Sequence, residues 1–275
     1  MKQVLAAWKW SLIVTVRSYR TLLALAGLVA LWAGAAYAWL GLPESSGLLL
    51  ILALVWAITQ ALVALDVIAG TACGAANLAA TGGRRLPLHV LWARERKKLL
   101  NAATISLLSL LVFWLFSAIS SWMDLHYLNI ASVLTFHSQR PISHVLVGNV
   151  YAILTGPVWI GLFGLPLSLL VVAVPGGWRE TKAQGKKVLW GYVFRGPFFT
   201  SFLCLFVALI AYVLAVTPAV VAPGFWDYAQ LIARISGALI LAAAVWLFWL
   251  LSLARLHTPP AASSPYPETI PALLP

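Results

Sequence analysis

Polar and apolar positions in this chain do not alternate with the period of a half-buried strand or a surface helix; they separate into long blocks. Six apolar stretches stand out, at about 21–42, 47–69, 99–121, 145–174, 197–217 and 231–254. A helix needs about 20 largely apolar residues to cross a bilayer. The pattern therefore predicts an all-α integral membrane protein, a bundle of about six transmembrane helices. Residues 1–257 are expected to form this single bundle. Residues 258–275, rich in Pro, Ala and Ser, read as a disordered cytoplasmic tail.

The basic residues fall between these blocks. Lys2, Lys9, Arg17 and Arg20 precede the first stretch, and Arg84, Arg85, Arg94, Arg96, Lys97 and Lys98 separate the second from the third. Arg179, Lys182, Lys186, Lys187 and Arg195 separate the fourth from the fifth, and Arg255 follows the sixth. Only Arg140 and Arg234 of the 18 Lys and Arg residues fall on the other side. The positive-inside rule then puts both termini in the cytoplasm, in a plasma membrane such as the bacterial inner membrane. With 62% hydrophobic and 9% charged residues and a mean hydropathy of +0.94, the chain lacks the polar surface of a soluble domain. The net charge of +11 does not point to nucleic acid, because the cations sit as short clusters at span ends. Ala36-Tyr37-Ala38 has the form of a signal-peptidase site, but the long leader and full-length apolar run favour a retained first helix.

The six spans group into three hairpins, each preceded by a basic, tryptophan-bearing segment suited to an interfacial helix. Val90-Leu91-Trp92 and Val188-Leu189-Trp190 follow the pairs Gly82-Gly83 and Gly176-Gly177, and Val4-Leu5 with Trp8 makes a looser copy. In the first span Ala26, Ala30, Gly34 and Ala38 recur every four residues, a stripe that predicts close packing on another helix. Gly70 and Gly74 form a second such pair. The fourth stretch contains Gly156, Pro157, Gly161, Gly164 and Pro166, which predicts a kink or break there.

Chemistry-bearing groups are sparse. The histidines, at 89, 126, 137, 144 and 257, are expected in loops or at helix ends, an arrangement that fits neither axial haem ligation nor a tight metal site. Cys73 and Cys204 make no zinc spacing and no disulfide framework. No nucleotide-binding loop, zinc-protease motif or nucleophile elbow occurs. No enzymatic activity, metal or cofactor is therefore expected. Within the spans, Asp66 is the foremost polar candidate, accompanied by Gln60 and Asn149.

The layout is similar to that of six-span permeases of the ABC-2 type. In that resemblance 2–20 corresponds to an N-terminal interfacial helix, 82–98 to a cytoplasmic coupling segment and 218–230 to a re-entrant stretch before the last span. The long outer connection 122–144 departs from it. The expectation is a small transport-type bundle, a permease-like subunit energised by a separate partner. The alternative is a non-transporting accessory or scaffold subunit of a larger membrane complex. Besides the lipid bilayer, a cytoplasmic or membrane protein partner would dock on the basic segments 82–98 and 176–195.

Overall fold

The computed structural model describes residues 2–41, 46–92, 95–139, 141–193, 196–216 and 225–257. These residues are helical almost throughout: α1 (Lys2–Arg17), α2 (Tyr19–Leu40), α3 (Gly47–Thr81), α4 (Arg96–Ser138), α5 (His144–Val193), α6 (Gly196–Val216) and α7 (Phe225–His257), with one 3-10 turn at Leu88–Leu91. Among the described residues six helices, α2 to α7, are long and apolar enough to cross a membrane. The expected tail and most of 218–230 lie outside the described residues.

Local chemistry sets several of the helix ends. Ser46 caps α3, its hydroxyl accepting from the Leu49 amide at 3.4 Å. Gly82 closes the same helix in the left-handed region (φ 66°, ψ 21°), where a side chain would be strained. Gln139 ends α4 in the same region. Between α1 and α2 the chain turns at Ser18, whose φ/ψ of −92°/28° leaves the helical well.

Three expectations change here. The 122–144 connection is mostly helix, since α4 continues through 43 residues to Ser138, about 64 Å at 1.5 Å per residue. His126 accordingly lies inside α4, stacked on Trp122 with ring centroids 4.4 Å apart, rather than in a loop. The fourth span does not break at Gly156, Pro157 or Pro166, where helical dihedrals continue; the departure comes at Gly177 (φ 74°, ψ −178°). One proline removes a single backbone donor, which a packed apolar helix tolerates, whereas the Gly177 conformation is almost exclusive to glycine. Third, the segments before the hairpins are not alike. Residues 2–17 and 178–193 are helical, but 82–92 is a loop around the 3-10 turn. Val90-Leu91-Trp92 and Val188-Leu189-Trp190 therefore adopt different structures.

α7 is the centre of the bundle, touching α1, α2, α3, α5 and α6, while α4 runs along α5. The core gathers at the end where the basic segments lie. Leu247, Leu250, Leu251 and Leu253 of α7 are at most 1% exposed, against Val171 and Val174 of α5 and Ala69, Ala72 and Ala75 of α3. α1 seals this end with a face of Val4, Ala7, Ser11 and Val14, spaced as one side of a helix, and leaves Leu5, Leu12 and Val16 exposed. Toward the opposite end large apolar side chains such as Leu50, Leu54, Leu110 and Ile153 are exposed.

The small-residue stripe of α2 is correspondingly only a partial packing surface. Ala26 is buried, but Ala30, Gly34 and Ala38 are exposed. Here α2 meets α3 through Trp32 and Trp39 instead, whose indole N–H groups donate to the carbonyls of Gln60 (3.4 Å) and Ala53 (2.9 Å). Bulky rings thus make the contact where the spacing predicts a small-residue seam.

Candidate functional site

The most constrained feature of the basic end is the loop after α3. Leu86 is 3% exposed, and side chains satisfy both of its backbone groups. Its amide donates to the Ser18 hydroxyl at 2.7 Å, and its carbonyl accepts from the Thr21 hydroxyl at 2.8 Å. Ser18 in turn donates to the Val14 carbonyl at 2.7 Å, so one hydroxyl links the α1–α2 turn to the loop. The far side of the loop rests on glycine. A Cβ added at Gly70 would overlap the Val90 carbonyl oxygen and lie 2.9 Å from the Trp92 nitrogen; one at Gly74 would overlap Val90 Cγ1. Buried Leu86 and Leu91 thus anchor a loop that turns Arg84, Arg85, Leu88, His89 and Trp92 outward. At the start of α4 Lys98 donates to Glu95 at 2.7 Å.

Around this loop the bundle end is cross-braced. Arg255 donates to the Ala79 carbonyl at 3.0 Å and lies 5.2 Å from the Trp10 ring centroid. Asn101 donates to the Ala173 carbonyl at 3.3 Å, and the Trp8 indole to Thr200 at 2.8 Å. Deeper, the Trp249 indole donates to Ser201 at 3.1 Å and Tyr192 donates to the Ile160 carbonyl at 3.1 Å. Gly164 makes room for that pair, since a Cβ there would overlap both Tyr192 Oη and Ser201 Oγ. These bonds tie helices together and expose no convergent reactive groups.

Among the described residues, apolar cavities lie between the helices. One of about 610 Å³ lies between α4 and α5 and is floored by Trp178, Thr181, Leu189 and Tyr192 from beyond the Gly177 elbow. A second of about 330 Å³ sits among α2, α3 and α7. The third, about 590 Å³, separates α2 from α3 and includes Gln60.

The polar residues singled out in the sequence are not brought together. Asp66 is half-buried on α3 and borders none of these cavities. Gln60 lines the α2–α3 cavity with its Nε2 buried and without a hydrogen-bond partner. Asn149 is exposed near the start of α5. Pro157 and Pro166 do share a place, as wall residues of the 610 Å³ cavity, whereas Gly156 is not among its lining. Among the described residues no three His, Cys, Asp or Glu side chains converge as a metal site would require. Ser18, Thr21 and Leu86 escaped sequence reading, because a hydroxyl that clamps a distant loop looks like any helix-end hydroxyl. The Gly70–Gly74 pair was the one visible signal.

No model of a known protein family matches this chain, and neither a curated protein nor a solved structure does so.

Proposed function

We propose that this multi-pass protein is a partner-dependent membrane subunit that docks another protein on its ordered basic loop, and that it serves as an accessory or scaffold rather than as a conduit. The observation that carries the docking role is the clamp on Leu86. Water would satisfy an idle connection, whereas here Ser18, Thr21, Gly70 and Gly74 hold the backbone in one conformation. Pre-ordering of this kind removes the entropic cost of fixing a loop when a partner arrives. The exposed set, Arg84, Arg85, Leu88 and Trp92, combines cations with an aromatic and an aliphatic anchor, the composition of an interface centre.

The closed interior favours the scaffold over the permease-like reading. Leu247, Leu250, Leu251, Val171 and Val174 fill the basic end of the bundle, where a conduit would have to emerge. The cavities described are apolar and lie at the margins, away from Asp66. With its basic segments on the cytoplasmic side, the loop would present itself to a cytoplasmic partner or to the inner rim of a membrane partner.

The test is a photoreactive amino acid placed in living cells at Leu88, at Trp92 and, as a control, at lipid-facing Leu110. The expected result is one discrete protein adduct from 88 and 92 but not 110, with a partner whose abundance falls when this chain is deleted. Adducts of equal yield from all three positions, or a partner indifferent to the deletion, would reject the docking role.

A further inference from the structure

We infer that the cavity between α4 and α5 is a binding site for one acyl chain of an anionic phospholipid drawn from the leaflet at the basic end. The cavity holds about 610 Å³, within the roughly 300–1,000 Å³ typical of small-molecule sites. Its walls, including Ile105 and Val112 of α4 and Gly161 and Leu165 of α5, offer almost no polar contact. Its α5 wall runs from Pro157 to Leu169, about 18 Å at 1.5 Å per residue, so the slot extends in the direction an acyl chain runs. The rim residues Leu108, Val158 and Leu189 are exposed on the surface that lipid would cover.

Charge selects the headgroup. Gly177 turns the chain so that Trp178, Thr181, Leu189 and Tyr192 floor the cavity from a single face of the helix that follows. Lys182, one turn beyond Trp178, together with Lys186 and Arg179 forms the adjoining flank. All three cations are exposed, and among the described residues none makes an ion pair. An apolar slot with three free cations at one end matches a lipid with a phosphate-bearing, net negative headgroup. A zwitterionic headgroup would gain less from the same flank.

Gly161 makes the site testable, because a Cβ added there meets nothing within 4 Å. A larger side chain at 161 enters the cavity without striking the backbone. The full chain is reconstituted into phosphatidylcholine vesicles containing phosphatidylglycerol with a photoreactive acyl chain, or the equivalent photoreactive phosphatidylcholine. Adducts are mapped at Ile105 and Leu165, inside the cavity, relative to outward-facing Leu110. Phosphatidylglycerol is expected to label the interior positions at least about fivefold more than phosphatidylcholine does, as attraction by several cations implies. Gly161→Phe should abolish interior labelling by both lipids while sparing Leu110. Arg179→Gln, Lys182→Gln and Lys186→Gln combined should equalise the two lipids without closing the cavity. Equal interior labelling by both lipids in the unaltered protein, or interior labelling unchanged in Gly161→Phe, would overturn the assignment. Should Gly161→Phe not insert, the triple Gln variant decides: retained preference for phosphatidylglycerol refutes the cationic flank.

Discussion

Gly70→Ala is the sharpest probe of the loop clamp, because one methyl group must displace backbone rather than a flexible side chain. The new Cβ would overlap the Val90 carbonyl oxygen and stand 2.9 Å from the Trp92 nitrogen and 3.0 Å from the Leu91 carbonyl carbon. Ordinary carbon contacts lie near 3.5–4.0 Å, so the loop must withdraw by at least about 0.5 Å. If it stays, overpacking costs about 1–3 kcal/mol. If it moves, the bonds from Leu86 to Ser18 and Thr21 stretch or break, at about 0.5–1.5 kcal/mol each. Helix propensity favours Ala at 70 by about 1 kcal/mol whether the loop is open or closed, so it cancels. The closed loop is disfavoured by about 1–3 kcal/mol, and each 1.4 kcal/mol is tenfold in the open population. Trypsin reports that population directly, since Arg84 and Arg85 adjoin the buried Leu86 and cleavage follows opening when reclosing is fast. Cleavage after Arg84 or Arg85 in Gly70→Ala should be faster than in the unaltered protein by roughly fivefold to a hundredfold. Gly34→Ala, whose Cβ meets nothing within 4 Å, should leave the rate unchanged. Equal cleavage of Gly70→Ala and the unaltered chain would refute the argument that glycine is required for loop docking.

Three further outcomes are expected. With Cys73 and Cys204 replaced by Ala, a cysteine at Ser138 should react with an impermeant thiol reagent from outside the cell and one at Gln184 should not; the reverse pattern would invert the proposed topology. Gly177→Ala should lower thermal stability by about 1–3 kcal/mol, because φ 74° with ψ −178° strains any residue bearing a Cβ; an unchanged melting curve would show that the elbow relaxes. Asp66→Asn and Asp66→Ala should both complement a deletion strain at matched expression, as a scaffold role implies. Loss of complementation with normal insertion would return the permease-like reading to first place.

Six long apolar helices were legible because a helix able to face lipid must be apolar over about 20 residues, and hydropathy reads that directly. Their true ends were not. Thr81 and Ser138 close helices that outrun their apolar stretches, because a helix satisfies its own backbone in water as in lipid and hydropathy does not mark where it stops. The prolines of α5 drew attention away from Gly177, although the Gly176-Gly177 pair was in view. A proline announces a lost hydrogen bond, whereas a glycine announces only permission, and which permission is used depends on tertiary packing. The α2 stripe misled for a related reason. Spacing shows where a neighbour can approach, but Trp32 and Trp39 set how near α3 comes. Leu86 is the limiting case: its burial depends on Ser18 and Thr21, 68 and 65 residues away, and no local pattern carries that pairing.

The concentration of tight packing at one end gives the molecule a fixed base and a compliant crown. At the base, side chains of α1, α3, α5 and α7 interlock, so relative tilting of those helices would open voids. At the crown, α2 and α3 touch mainly through two tryptophans and enclose a cavity of about 590 Å³, so small changes in their angle displace few contacts. A bilayer that thins or thickens presses on the tilt of every span, at a fraction of a kcal/mol per ångström of mismatch. Splaying of the crown would absorb such strain and leave the loop clamped at Leu86 in its shape.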